Sequence, residues 1–132
     1  MSHKPPIDAS IEQRTFFRID TVLRLSFYLD GELAQPLPKP TPVNLSMGGA
    51  GLLTERSFAP GDTLALTLFL PSGPPIQTHA KVVRSALITN LEMASTYQIG
   101  LQFTTLDKRD QERLNKYIFH LQVERRRTRC HV

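Results

Sequence analysis

Apolar and polar residues alternate along much of this chain. Leu23, Leu25, Phe27 and Leu29 are interleaved with Arg24, Ser26 and Tyr28, the period of two that buries one face of a β-strand. Leu64, Leu66, Leu68 and Leu70 repeat the pattern around Ala65, Thr67 and Phe69, and Tyr97, Ile99, Leu101 and Phe103 repeat it around Gln98, Gly100 and Gln102. The segment from Ile76 to about Leu87, centred on Val82 and Val83, reads as a further strand. Turn chemistry separates these runs: Asp30-Gly31, Gly61-Asp62, PSGPP from Pro71 to Pro75, and TNLEMAS from Thr89 to Ser95. The stretch QPLPKPTP, Gln35 to Pro42, is too rich in proline for a central strand, because each proline removes a ladder donor, and is expected as an extended edge segment or a loop. Short strands joined by short turns predict an antiparallel sheet that closes, or nearly closes, into a barrel.

After Phe103 the period changes. Asp107 can cap a helix, Asp110 and Glu112 place negative charge in its first turn, and Leu114, Tyr117, Ile118 and Leu121 fall on one face. That stripe needs a surface, which one end or one wall of the barrel would supply. The chain then divides into a flexible leader over 1–11 containing Pro5 and Pro6, and a single domain over 12–124. Within the domain the barrel is expected at about 19–104 and the helix at about 107–124, with a basic tail at 125–132.

With 132 residues, 40% hydrophobic and 21% charged, the chain fits one soluble globular domain. It has no apolar run of the roughly 20 residues that cross a bilayer, and MSHKPPIDAS lacks the apolar centre of a signal peptide, so a cytoplasmic protein is expected. Cys130, the single cysteine, excludes an internal disulfide and, beside His131 alone, offers no zinc-ligand set. The net charge of +4 is carried entirely by the C-terminal part: from Asp107 onward there are eight Lys or Arg against four Asp or Glu, whereas residues 1–106 hold eight of each. A balanced body is no general nucleic-acid surface, and RRRTR at 125–129 reads as a solvated helix end. His3, His79, His120 and His131 are scattered without a neighbouring nucleophile set, so the protein is not expected to be an enzyme and no cofactor or metal is expected.

Two stretches remain that could carry binding chemistry. RTFFR, at 14–18, sets Arg14 and Arg18 four apart around Phe16 and Phe17, just before the first strand. Guanidinium groups can clamp phosphates, stack on a base, or donate to O6 and N7 of guanine. The same spacing recurs at Arg109 and Arg113, where it is a charged helix face, and at Arg125 and Arg129, so spacing alone carries little. VNLSMGGAGLLTE, at 43–55, gathers Gly48, Gly49 and Gly51 between strand-like flanks and puts Asn44 and Ser46 two apart, on one face of an extended segment. Asparagine offers a donor and an acceptor together, and serine a rotating hydroxyl, which suits the edge of a nucleobase. The plainer reading is a glycine-rich turn tied down by its own Asn and Ser.

Taken in this order and about 25 residues apart, the two stretches resemble the PilZ domain, a family that binds the bacterial second messenger cyclic di-GMP. Its RxxxR arm is matched by Arg14 and Arg18, its (D/N)xSxxG turn by Asn44, Ser46 and Gly49, and its late GxxF strand by Gly100 and Phe103. The resemblance runs from about residue 12 to about residue 122. It implies an all-β-dominated split barrel of six antiparallel strands with a C-terminal α-helix, and a cyclic di-GMP site made by Arg14, Arg18, Asn44, Ser46 and Gly49, with Gln13 and Gly48 beside them. Gln13 stands where members that bind an intercalated ligand dimer often have another arginine, which implies a single bound molecule. A receptor of this kind would pass its signal to a downstream protein in motility or biofilm regulation. Two other functions fit the same barrel: an adaptor in pilus or motility assembly that does not bind the ligand, and a nucleic-acid binder working through the basic tail.

Overall fold

The computed structural model describes residues 18–33, 36–88 and 95–130, the last three by backbone alone. Six strands form a closed barrel, each antiparallel to its neighbours, in the order β1 (Ile19–Leu29), β2 (Lys39–Leu45), β3 (Gly49–Thr54), β6 (Thr96–Phe103), β5 (Ile76–Ile88) and β4 (Thr63–Phe69), which returns to β1. One helix, α1 (Lys108–Cys130), follows.

The alternation read from the sequence is the alternation of burial. Leu23 and Leu25 of β1, Leu64, Leu66 and Leu68 of β4, and Ile99 and Leu101 of β6 are buried in one core together with Val43, Leu45, Leu52, Ile76, Ala80 and Val82. Phe58, from the loop after β3, enters that core with its ring edge-on to Phe27 at 6.1 Å. Each fully buried side chain of this size contributes roughly 1.5–3 kcal/mol. The interior is therefore packed, and a ligand must use the outer wall or an end.

The second half of the proline-rich segment is the extended edge segment that was expected. Lys39 to Pro42 are part of β2 and pair with β1, Pro40 opposite Arg24 and Pro42 opposite Val22. They are tolerated because β3 reaches only Val43 to Leu45, which leaves one edge of β2 free upstream. Prolines two apart place their missing donors on the same edge of a strand.

Helix α1 begins as the cap chemistry dictates, with Asp107 Oδ1 accepting from the Asp110 amide at 2.8 Å. Leu114 and Ile118 are buried in the barrel core, and Tyr117 and Leu121 pack at its margin. The helix runs past the expected boundary at about 124 to Cys130, so the arginines of RRRTR form its last turns, the helix end they were read as. One feature was not anticipated. Arg113 is more than a charged face: its Nη2 donates to the carbonyls of Ser72 at 3.0 Å and Pro74 at 2.7 Å, and its guanidinium lies against Gly73, whose φ of +86° only glycine adopts easily. Arg113 thereby ties the helix to the β4–β5 loop.

Candidate functional site

The turn between β2 and β3 is closed by Ser46 and Gly49. The Ser46 amide donates to the Gly49 carbonyl at 2.9 Å. Its Oγ accepts from the Gly49 amide and donates to the Gly49 carbonyl, both at 3.1 Å. Serine thus holds the turn, as the plainer reading of NLSMGG supposed. Gly48, Gly49 and Gly51 are not in the left-handed region, which among the described glycines holds Gly31, Gly61 and Gly73. Gly49 is required for space. A Cβ there would fall well inside contact distance of the Leu101 carbonyl oxygen and 3.0 Å from its carbon. The close approach lets the Phe103 amide reach the Gly48 carbonyl at 2.8 Å, fastening the turn to β6.

Asn44 stands on the outer face of β2, opposite Asp20 of β1. It is gripped from both sides: Nδ2 donates to Asp20 Oδ1 at 2.8 Å, and Oδ1 accepts from Arg18 Nη1 at 2.5 Å. The second arginine of RTFFR and the asparagine of NLSMGG therefore meet, although 26 residues separate them. Strand register brings them together, because β1 starts at Ile19 opposite Leu45, where β2 ends. Arg14 and Gln13 lie outside the described residues.

Register also builds the rest of the surface. Asn44 pairs with Gly51, Gly51 with Gly100, and Gly100 with Arg84, so one row crosses β2, β3, β6 and β5 with two glycines at its middle. The bare backbone of the glycines forms the floor of a cleft of about 170 Å³, walled by Arg18, Asn44 and Ser46 on one side and by Val83 and Arg84 on the other. No acidic side chain lines it among the described residues, so the cleft is electropositive and suited to an anion that also carries a flat polar ring.

Arg84 and Val83 were missed as site residues because they lie on a strand read for its core pattern alone. Val82 pairs with Leu101 and Arg84 with Gly100, so one extra residue, Val83, is bulged out of β5. In a regular strand Arg84 would share the inward face of Val82; the bulge turns both Val83 and Arg84 outward. A bulge has no firm signature in one sequence. Gly100, which accommodates Arg84, was the available clue.

Comparison with known proteins identifies the family and the fold. The PilZ domain family model matches residues 12–120. The chain belongs to the PilZ domain family. Solved structures share its fold: MrkH of K. pneumonia in its apo state (TM-score 0.67, 23% identity, 85% of this chain and 52% of that one) and the motility inhibitor MotI/DgrA of Bacillus subtilis (0.64, 24%, 83% and 51%). The PilZ domain of YcgR from Escherichia coli, solved with c-di-GMP, aligns over 88% of this chain and 96% of its own length (0.61, 18%). The present chain spans about half the length of MotI and MrkH. No curated protein matches it.

Among the described residues no helix is long and apolar enough to cross a membrane, and no group of three or more His, Cys, Asp or Glu could hold a metal ion.

Proposed function

We propose that this PilZ domain is a cyclic di-GMP receptor that binds the ligand on the outer barrel wall and passes the signal to a protein partner. The meeting of Arg18 and Asn44 beside Ser46, over the glycine floor, carries the reading. Cyclic di-GMP presents two phosphodiesters and two guanines. The site offers a guanidinium for phosphate or for O6 and N7, and an amide and hydroxyl for the mixed edge of the base. The solved YcgR complex with c-di-GMP supports the same ligand class.

The cleft's size gives Arg14 its role. Ligand pockets usually enclose roughly 300 Å³ or more. At about 170 Å³ this cleft seats part of a cyclic dinucleotide and leaves the remainder to be covered from outside. Residues 13–17 directly precede Arg18 in the sequence, and the family motif gives Arg14 the exposed phosphate, with Gln13 in place of a further cation, which limits the site to one molecule. Fixing that segment over the ligand changes the surface a partner would meet.

Calorimetric titration of the 132-residue chain with cyclic di-GMP tests this. The expected dissociation constant is micromolar or tighter, about −8 kcal/mol, at one ligand per chain. Arg14→Ala and Asn44→Ala should weaken binding, whereas Arg109→Ala should leave it unchanged. No heat and no ligand-induced rise in melting temperature would overturn the proposal and favour an adaptor that ignores the nucleotide.

A further inference from the structure

We propose that Arg84 is a ligand-binding residue, the cation that takes a phosphate of the bound nucleotide from the wall opposite Arg18; this rests on the receptor reading above. Arg84 belongs to neither stretch that pointed to the site, and three independent features place it there.

The first is the bulge. Turning Arg84 from an inward to an outward position places a charge on the cleft that a regular strand would have buried at high cost. The second is its seat. A Cβ on Gly100 would lie 3.1 Å from Arg84 Cγ and 3.3 Å from both Nε and Cζ, so the side chain, up to its guanidinium, lies along the glycine. The three heavy atoms nearest to that Cβ all belong to Arg84. The third is the state of the two arginines. Arg18 already donates to Asn44. Arg84 is exposed and has no hydrogen-bond or ion-pair partner among the described residues.

A guanidinium held against backbone, facing a cleft without acids, recruits an anion. In a cyclic dinucleotide the only full negative charges are the phosphodiesters. The row from Asn44 to Arg84 covers three strand spacings, roughly 14 Å, enough for a base on the glycine floor with its phosphate at the far end. Arg84 thus serves the same single molecule, from the wall opposite Arg18, and leaves the position of Gln13 without a cation.

Titrations of wild type, Arg84→Ala, Arg84→Lys and Arg24→Ala with cyclic di-GMP, at equal ionic strength, test the assignment. Arg24 lies on β1 over the Phe69 ring at 5.3 Å, outside the cleft, and its removal lowers the net charge by the same amount. Arg84→Ala should weaken binding about tenfold or more, the range of a charge-assisted hydrogen bond. Arg84→Lys, which keeps the charge, should recover most of the loss, and Arg24→Ala should bind as wild type. If wild type binds and Arg84→Ala binds within twofold of it, the assignment is wrong and the receptor reading survives. If Arg24→Ala loses as much as Arg84→Ala, the effect is net charge and the assignment fails. If Arg84→Lys is as weak as Arg84→Ala, the phosphate contact is refuted. If wild type shows no binding, both readings fall together.

Discussion

Replacing Gly49 by alanine adds one methyl group at the point where β3 and β6 come closest. Its φ is not in the left-handed region, so backbone entropy alone would favour alanine by roughly 0.4–1 kcal/mol. Sterics oppose that gain. The new Cβ would collide with the Leu101 carbonyl oxygen and lie 3.3 Å from Gln102 Cα, and both are backbone atoms that cannot swing aside as a side chain would. Forcing a methyl into a filled site costs about 1–3 kcal/mol. If β6 withdraws instead, the 2.8 Å bond from the Phe103 amide to the Gly48 carbonyl lengthens and the Gly49 to Gln102 pairing opens, at about 1 kcal/mol per hydrogen bond. The net expectation is a loss of about 1–2.5 kcal/mol, which for a domain of this size lowers the melting temperature by roughly 3–10 °C. Urea unfolding followed by circular dichroism gives the free energy, and Gly48→Ala is the matched control, because a Cβ there meets nothing within 4 Å. That control should stay within about 0.5 kcal/mol of wild type. Overlapping unfolding curves for the two variants would refute the reasoning, because no other difference between the two glycines is invoked.

Other perturbations separate similar residues. Arg113→Ala removes two hydrogen bonds to the β4–β5 loop and should destabilise by about 1–2 kcal/mol. Arg109→Ala, on an exposed part of the same helix turn, should change stability by less than about 0.5 kcal/mol; equal losses in denaturant titrations would show that Arg113 is only surface charge. Asp107→Ala leaves the Asp110 amide without its 2.8 Å acceptor and should cost about 1 kcal/mol, read as a lower urea midpoint at unchanged slope. Leu66→Ala, at 2% exposure in the core, should cost about 2–5 kcal/mol, and a milder effect would mean that the barrel collapses around the gap.

The strands were legible where one face is buried and the other wet, as in Leu64, Leu66 and Leu68, because burial imposes the period directly. The helix was legible through its cap and stripe, although its end was not: Arg125 to Arg127 can extend a helix or leave it, and no glycine or proline follows to stop it. Pro40 and Pro42 left edge strand and loop open, because a proline's tolerance depends on whether the neighbouring strand reaches it, a property of strand lengths elsewhere. At the site, the link between Arg18 and Asn44 was anticipated through family resemblance, since the fixing event is register. Arg84 was hidden because its outward direction comes from a bulge. The structure also reassigns two roles: Ser46 is engaged with its own turn, and Gly49 answers to the backbone of β6.

The row running from Asp20 through Asn44, Gly51 and Gly100 to Arg84 governs where the chain can change length. A one-residue insertion in β1 or β2 would turn Leu23 or Val43 outward and, by the same step, carry Arg18 or Asn44 off the cleft. Packing and recognition are thus subject to a single reading frame across the barrel. A gained or lost residue in the PSGPP loop leaves the strand register alone and strains only its tie to Arg113, whereas one between strand positions erases the core and the binding surface in one event.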